Sequence, residues 1–226
     1  MAAHLITWAG SGIGAELARL LRERGDDLVL LARSAERAAE LAASYDGART
    51  VVADLADPAS IDGLDLPGVL DSVVHSAGVV DLGPVAELGV ASWQEQLTVN
   101  LVAPAALTRI ALPALRAARG TVVFVNSGSG LVANPDWSAY AASKHGLKAL
   151  ADSLRAEEGG RGVRVSTVYP GRTATTMQAK VQDKEGKDYD AADWIDPATV
   201  AAAILHVIDL PSDATISDLT VKPGPR

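Results

Sequence analysis

The 226-residue chain contains no cysteine, one phenylalanine and two methionines, and aromatic residues make up 4% of it. The absence of cysteine excludes disulfides, thiol catalysis and thiolate metal centres together. The four histidines, His4, His75, His145 and His206, are scattered without the spacing of metal ligands, so no metal site is expected. No basic stripe accompanies the formal net charge of −8, which leaves a nucleic-acid role without support. No uninterrupted apolar run reaches the roughly 18 residues of a membrane span. The N-terminus shows neither the basic start nor the cleavage site of a signal peptide. A cytoplasmic protein without a membrane segment is expected.

What is abundant is alanine, valine and leucine, within a hydrophobic share of 48%. Such a composition favours helices packed on a buried parallel sheet. The length suits one large domain spanning 1–226. Apolar runs at 3–7, 27–32, 49–52, 72–75, 121–126, 163–169 and 215–221 read as strands. Helical periodicity marks 12–24, 35–44, 138–158 and 197–209, with a shorter helix at 59–64. The stretch 90–116 reads as helical with bends at Pro104 and Pro113. Strand and helix alternate, and the strands lack polar alternation. The expected fold is therefore a single-domain, Rossmann-like doubly wound parallel sheet in three α/β/α layers. Residues 178–193, rich in Lys, Asp and Gln, read as a mobile insertion near the site.

Gly10, Gly12 and Gly14 fall between the first strand and the first helix. Glycines there let backbone N–H groups approach a pyrophosphate, which a helix N-terminus also attracts. The second strand ends Leu31-Ala32-Arg33-Ser34, with no acid to hold a ribose 2′-hydroxyl. Arg33 and Ser34 suit a 2′-phosphate instead, with Arg37 nearby. NADP(H) is thus the preferred cofactor and NAD(H) the alternative. Tyr140 and Lys144 are four residues apart in a helical stretch, which puts both on one face. A neighbouring ammonium favours a phenolate and brings Tyr140 into range as an acid or base. Ser127 follows the fifth strand at its carboxyl end, where open α/β sheets bind ligands. Asn100 sits within the preceding helical stretch.

Together these segments resemble the short-chain dehydrogenase/reductase family, in its compact single-domain form. The resemblance is carried by Thr7-Trp8-Ala9-Gly10-Ser11-Gly12-Ile13-Gly14, Asp54-Leu55, Ser76-Ala77-Gly78, Asn100, Ser127, Tyr140-Ala141-Ala142-Ser143-Lys144 and Pro170-Gly171, and it covers nearly the whole chain. It implies that Tyr140 exchanges a proton with the substrate oxygen and that Ser127 steadies the charge developing there. It implies that Lys144 holds the nicotinamide ribose and lowers the Tyr140 pKa, and that Asn100 helps hold a water linking Lys144 to solvent. Gly10, Ser11, Gly12, Ile13 and Gly14 would cradle the pyrophosphate side. Asp54 and Leu55 would meet the adenine, and Ser76, Ala77 and Gly78 would line the cofactor floor. Pro170, Gly171, Thr173 and Thr175 would flank the nicotinamide and pyrophosphate. The substrate implied is a small carbonyl compound or alcohol of hydrophobic character. Leu131, Val132, Asn134, Trp137, Met177, Gln178 and Trp194 stand near the reacting end. A homodimer or homotetramer is expected through 90–116 and 138–158.

Four positions depart from the family pattern. Trp8 replaces a glycine, and it is strained by about 1–3 kcal/mol if its backbone needs a positive φ. Either the cofactor binds beside the indole, or the pocket is narrowed and activity falls. The second case gives the alternative reading, a nucleotide-binding regulatory or scaffold protein without turnover. His75-Ser76 replaces a pair of asparagines, and His75 reads as a structural histidine. Ser11 stands where many NADP-preferring relatives carry a basic residue, so Arg33 is the main argument for the phosphate. A sugar-nucleotide epimerase is disfavoured, because the chain lacks the extra C-terminal substrate domain.

Overall fold

The computed structural model describes residues 1–225. Seven strands form one parallel sheet: β1 (Ala3–Thr7), β2 (Asp27–Ala32), β3 (Arg49–Val52), β4 (Ser72–His75), β5 (Thr121–Val125), β6 (Arg164–Pro170) and β7 (Asp218–Val221). They lie in the order β3-β2-β1-β4-β5-β6-β7. The chain winds outward from β1 in one direction and returns through β4 in the other. A crevice therefore opens at the carboxyl ends of β1 and β4, where the order reverses. The registers Thr7↔Leu31, Ile6↔Val74 and His75↔Phe124 bring those ends to one edge.

Successive strand residues are apolar because both faces of the sheet are covered. Leu5, Val73, Val122 and Phe124 point to the face that carries Leu107, Leu115, Leu147 and Leu154. Their neighbours Ile6, Val74 and Val123 point to the opposite face, against Leu17, Leu21, Leu41 and Ile204. The helices are α1 (Gly12–Glu23), α2 (Ala35–Ser44), α3 (Val90–Leu97), α4 (Ala103–Ala118), α5 (Ser138–Glu158), α6 (Thr176–Lys184) and α7 (Pro197–Ile208). Local chemistry fixes their ends. Ser34, Thr175 and Asp196 each accept a backbone N–H of their own helix's first turn, and Pro197 opens α7 where its missing N–H costs nothing.

The break expected in the 90–116 helix is a π turn at Thr98–Val102 that joins α3 to α4. Pro104 has no N–H to return to the Asn100 carbonyl four residues back, and the widened turn accommodates that gap. Pro113, by contrast, stays inside α4 without ending it. Taken together, Val90–Ala118 is long and apolar enough to cross a membrane by length and composition, with a mean hydropathy of 1.4. The count of uninterrupted apolar residues did not reveal this. Its buried stripe, Ala103, Leu107, Ala111 and Leu115, packs into the core of the domain. The polar stretch 178–193 contains the greater part of α6 and a short turn at Ala191–Asp193, and it buries Gln178, Val181 and Gln182.

Candidate active site

A cleft of about 800 Å³ occupies the crevice at the carboxyl edge of the sheet. Its floor comes from the turns after β1, β4, β5 and β6, and α6 contributes one wall. Ser11, Gly12, Ile13, Gly14, Ser76, Ala77, Gly78, Ser127, Tyr140, Lys144, Pro170, Gly171, Thr173 and Thr175 all line it. Asn100 lies just beneath, fully buried. Gly10, Arg33, Ser34, Asp54 and Leu55 stand outside this lining, at the carboxyl ends of β1, β2 and β3.

At the glycine turn, Gly12 has φ +58°, in the left-handed region that glycine adopts without a Cβ penalty. A Cβ on Gly14 would lie 2.5 Å from the Trp8 carbonyl oxygen and 2.6 Å from Ser76 Oγ. That glycine lets α1 pack directly on the turn after β1. Trp8 itself has φ +60°. Its backbone does adopt the conformation that the family glycine serves. The residue is 46% exposed and lines the cleft, and its indole donates from Nε1 to Ser11 Oγ at 2.9 Å. Thr7 is a residue the sequence reading passed over as a site residue. Its Oγ1 accepts from the Ser76 and Ala77 N–H groups, both at 3.0 Å, and so ties β1 to the turn after β4.

The second cluster is built on α5. Tyr140 and Lys144 are both buried, and the Lys144 Nζ lies 5.7 Å from the centre of the Tyr140 ring. Ser127 is near enough to hydrogen-bond the Tyr140 phenol. Two residues missed in the sequence hold this group in place. Asn126 Oδ1 accepts from the Ser127 N–H at 2.9 Å, and its Nδ2 donates to the Lys144 carbonyl at 3.0 Å. Ser143 Oγ accepts from Asn100 Nδ2 at 3.0 Å. Asn100 completes the brace by exchanging hydrogen bonds with the Val79 backbone, at 2.8 and 2.9 Å. The Asn100 side chain is thus committed to joining the turn after β4 to α5.

Electrostatics differ from the sequence expectation in one respect. Burial pushes the Tyr140 phenol up to about 12, and the Ser127 hydrogen bond only partly offsets it. Burial pushes Lys144 down to about 8, with Nζ donating to the Val125 carbonyl at 3.2 Å. Desolvation is the dominant influence on the phenol, which is therefore in the protonated form near neutral pH rather than a phenolate.

On the β2 side, Ser34 Oγ accepts from the Arg37 N–H as the cap of α2. Arg37 reaches across to donate to the Gly10 carbonyl at 3.1 Å and also pairs with Glu40. Arg33 is exposed and makes no hydrogen bond or ion pair among the described residues. At the other end of the cleft, the lining is more charged than the hydrophobic expectation. Trp137, Met177 and Val181 share it with Arg172, Lys180, Gln178 and Glu185. His75 is structural, as read. It is buried, stacked on Phe124 at 4.9 Å, and bonded through Nε2 to Thr108 Oγ1 at 2.9 Å.

Comparison with known proteins agrees with this architecture. A family model described as short chain dehydrogenase matches residues 2–186. The bovine dehydrogenase/reductase SDR family member 7B is 34% identical over 205 residues, covering 84% of this chain and 63% of its own length. The chain thus spans somewhat under two thirds of that relative. An uncharacterised oxidoreductase of Staphylococcus aureus strain MW2 is 29% identical over 97% of this chain and 96% of its own. The crystal structure of a short-chain dehydrogenase from Streptomyces avermitilis superposes with a TM-score of 0.82 at 28% identity, covering 97% of this chain and 87% of that one. By fold, sequence and family model, the chain belongs to the short-chain dehydrogenase/reductase family, whose members are oxidoreductases.

Proposed function

We propose that the protein is an NADP(H)-dependent oxidoreductase that interconverts a carbonyl group and an alcohol on a small molecule. The observation that carries this reading is the buried Tyr140 side chain with Ser127 in the same lining and Lys144 one turn away, at the wall of an open cleft. The residues present fit a dinucleotide. Gly12 and Gly14 line the cleft at the N-terminus of α1, and Gly78 keeps a close approach that a Cβ would fill, 3.3 Å from Asn100 Oδ1 and 3.7 Å from Lys144 Nζ. Arg33, without a side-chain partner among the described residues, would take the 2′-phosphate, with Ser34 and Arg37 beside it. The cofactor supplies the hydride. In reduction, Tyr140 gives its phenolic proton to the substrate oxygen. The Ser127 hydroxyl donates to the same oxygen as charge develops. Lys144, charged below about pH 8, stabilises the phenolate left behind and would hold the ribose. The same reading takes the protein as a cytoplasmic homo-oligomer.

One observation favours a second reading, a nucleotide-binding protein without turnover. Trp8 holds a glycine-type conformation and lines the cleft. A carbonyl panel followed at the NADPH absorbance separates the two readings. We expect turnover with NADPH, and Arg33→Ala to weaken NADPH about tenfold to a hundredfold while NADH changes little. Equal losses for both cofactors would retire the phosphate assignment. Saturable NADPH binding with no turnover on any carbonyl compound would leave only the second reading.

A further inference from the structure

We infer that Arg172 forms a carboxylate-recognition site in the cleft, so that the substrate is an oxo acid or the corresponding hydroxy acid. This rests on the carbonyl chemistry proposed at Tyr140 and names the substrate class for it. Arg172 follows Pro170-Gly171 at the end of β6 and lines the same cleft as Tyr140. Its guanidinium lies between two indoles, 5.8 Å from the ring centre of Trp137 and 5.5 Å from that of Trp194. Trp137 in turn meets the Tyr140 ring edge-on at 5.7 Å. One indole therefore separates the proton donor from the cation. A substrate with its carbonyl at Tyr140 and a short carbon chain lying along Trp137 brings its far end to Arg172. Two neighbouring indoles restrict the guanidinium, which lowers the ordering cost of holding a planar anion.

In this structure the guanidinium faces Glu185. Both terminal nitrogens donate to that carboxylate, one of them at 2.9 Å. Two of the five N–H groups of an arginine are used in this way, and the other three meet no acceptor among the described residues. Glu185 has a second cation, since Lys187 Nζ donates to it at 3.0 Å. Arg172 and Lys187 together hold the Glu185 carboxyl below the usual range. Glu185 can therefore release Arg172 to a substrate carboxylate and keep a partner. The exchange replaces one carboxylate by another, which keeps its cost low compared with breaking a pair outright. Lys180 adds a further positive charge to the lining. Of the other acids there, Asp81 is paired with Lys184 at 3.1 Å, and Glu95 is exposed at the end of the cleft lined by α3.

The test is steady-state reduction with NADPH of acetoacetate and levulinate, each against its methyl ester. The wild type should prefer the acids. Arg172→Met should lower the acid-to-ester ratio of kcat/KM by about tenfold to a hundredfold, with Arg172→Lys recovering part of it. Glu185→Gln should raise the ratio, because the competing carboxylate is gone. Equal losses on acid and ester in Arg172→Met would make the residue a structural clamp and overturn the site, as would a wild type that favours the esters. Remaining ester turnover reports that the variants fold. If no carbonyl compound is reduced at all, the oxidoreductase reading itself fails. Calorimetric titration of levulinate then decides the site separately. Binding to wild type and not to Arg172→Met sustains it, and no binding to wild type ends it.

Discussion

Trp8 is the residue at which sequence and backbone disagree most openly. A non-glycine side chain at φ +60° costs about 1–2 kcal/mol relative to a relaxed backbone. The indole recovers little of that, with one hydrogen bond to Ser11 Oγ on a partly exposed surface. Trp8→Gly should raise stability by about 1 kcal/mol in urea denaturation and tighten NADPH binding in a fluorescence titration. A less stable variant would mean that the indole contributes packing outweighing the strain. Lys144 carries the pH dependence. Burial lowers its pKa to about 8, so the ammonium is intact below that value and is lost as pH rises through it. The profile of kcat/KM for carbonyl reduction should fall above about pH 8, and a profile flat to pH 10 would remove Lys144 from this role. Not every suggestive cluster is a site. Ser72, His4 and Asp26 form a serine–histidine–acid array, with His4 Nδ1 2.8 Å from Ser72 Oγ and Nε2 3.4 Å from Asp26 Oδ2. The Ser72 hydroxyl is wholly buried near the amino ends of the strands, so it serves packing rather than nucleophilic attack.

At the scale of elements, the site depends on how strand ends are tied to α5. Asn126 connects Ser127 to the Lys144 carbonyl through one buried amide. Asn126→Ala leaves that carbonyl and the Ser127 N–H without their partner. The expected loss is about 1–3 kcal/mol of stability, with kcat falling more than the affinity for NADPH, as rapid-mixing and binding measurements would show. Unchanged kcat would mean that Ser127 is held by its 3.1 Å contact from the Ser129 N–H instead. The strands β2, β3 and β4 were legible to the residue because continuous apolar runs bounded by Gly, Asp or Ser have no other home. So were α2 and α5, for their helical periodicity. What sequence could not supply was the π turn at Thr98–Val102, because a hydrogen-bond register has no periodicity signature. The braces made by Thr7, Asn126 and Ser143 were also invisible. Each depends on a partner far along the chain, such as Asn100 for Ser143. Arg172 was passed over because the residues that give it meaning, Trp137, Glu185 and Trp194, lie at separate points in the sequence.

For the whole molecule, the reversal of strand order between β1 and β4 places the glycine turn, the Ser127 turn and the α5 pair around one cleft. That convergence explains why residues dispersed from position 8 to position 185 line one cleft. It also explains why the chain could be placed in its family from short separated segments. The Tyr140 pKa was not legible in that way, since the four-residue spacing to Lys144 says nothing of burial, and burial decides the direction. The measurement closest to the centre of this account is the turnover of Tyr140→Phe with NADPH and a reducible carbonyl compound, alongside its NADPH affinity. The account predicts a loss in kcat of about a thousandfold with binding nearly unchanged. Turnover at the wild-type rate would contradict it.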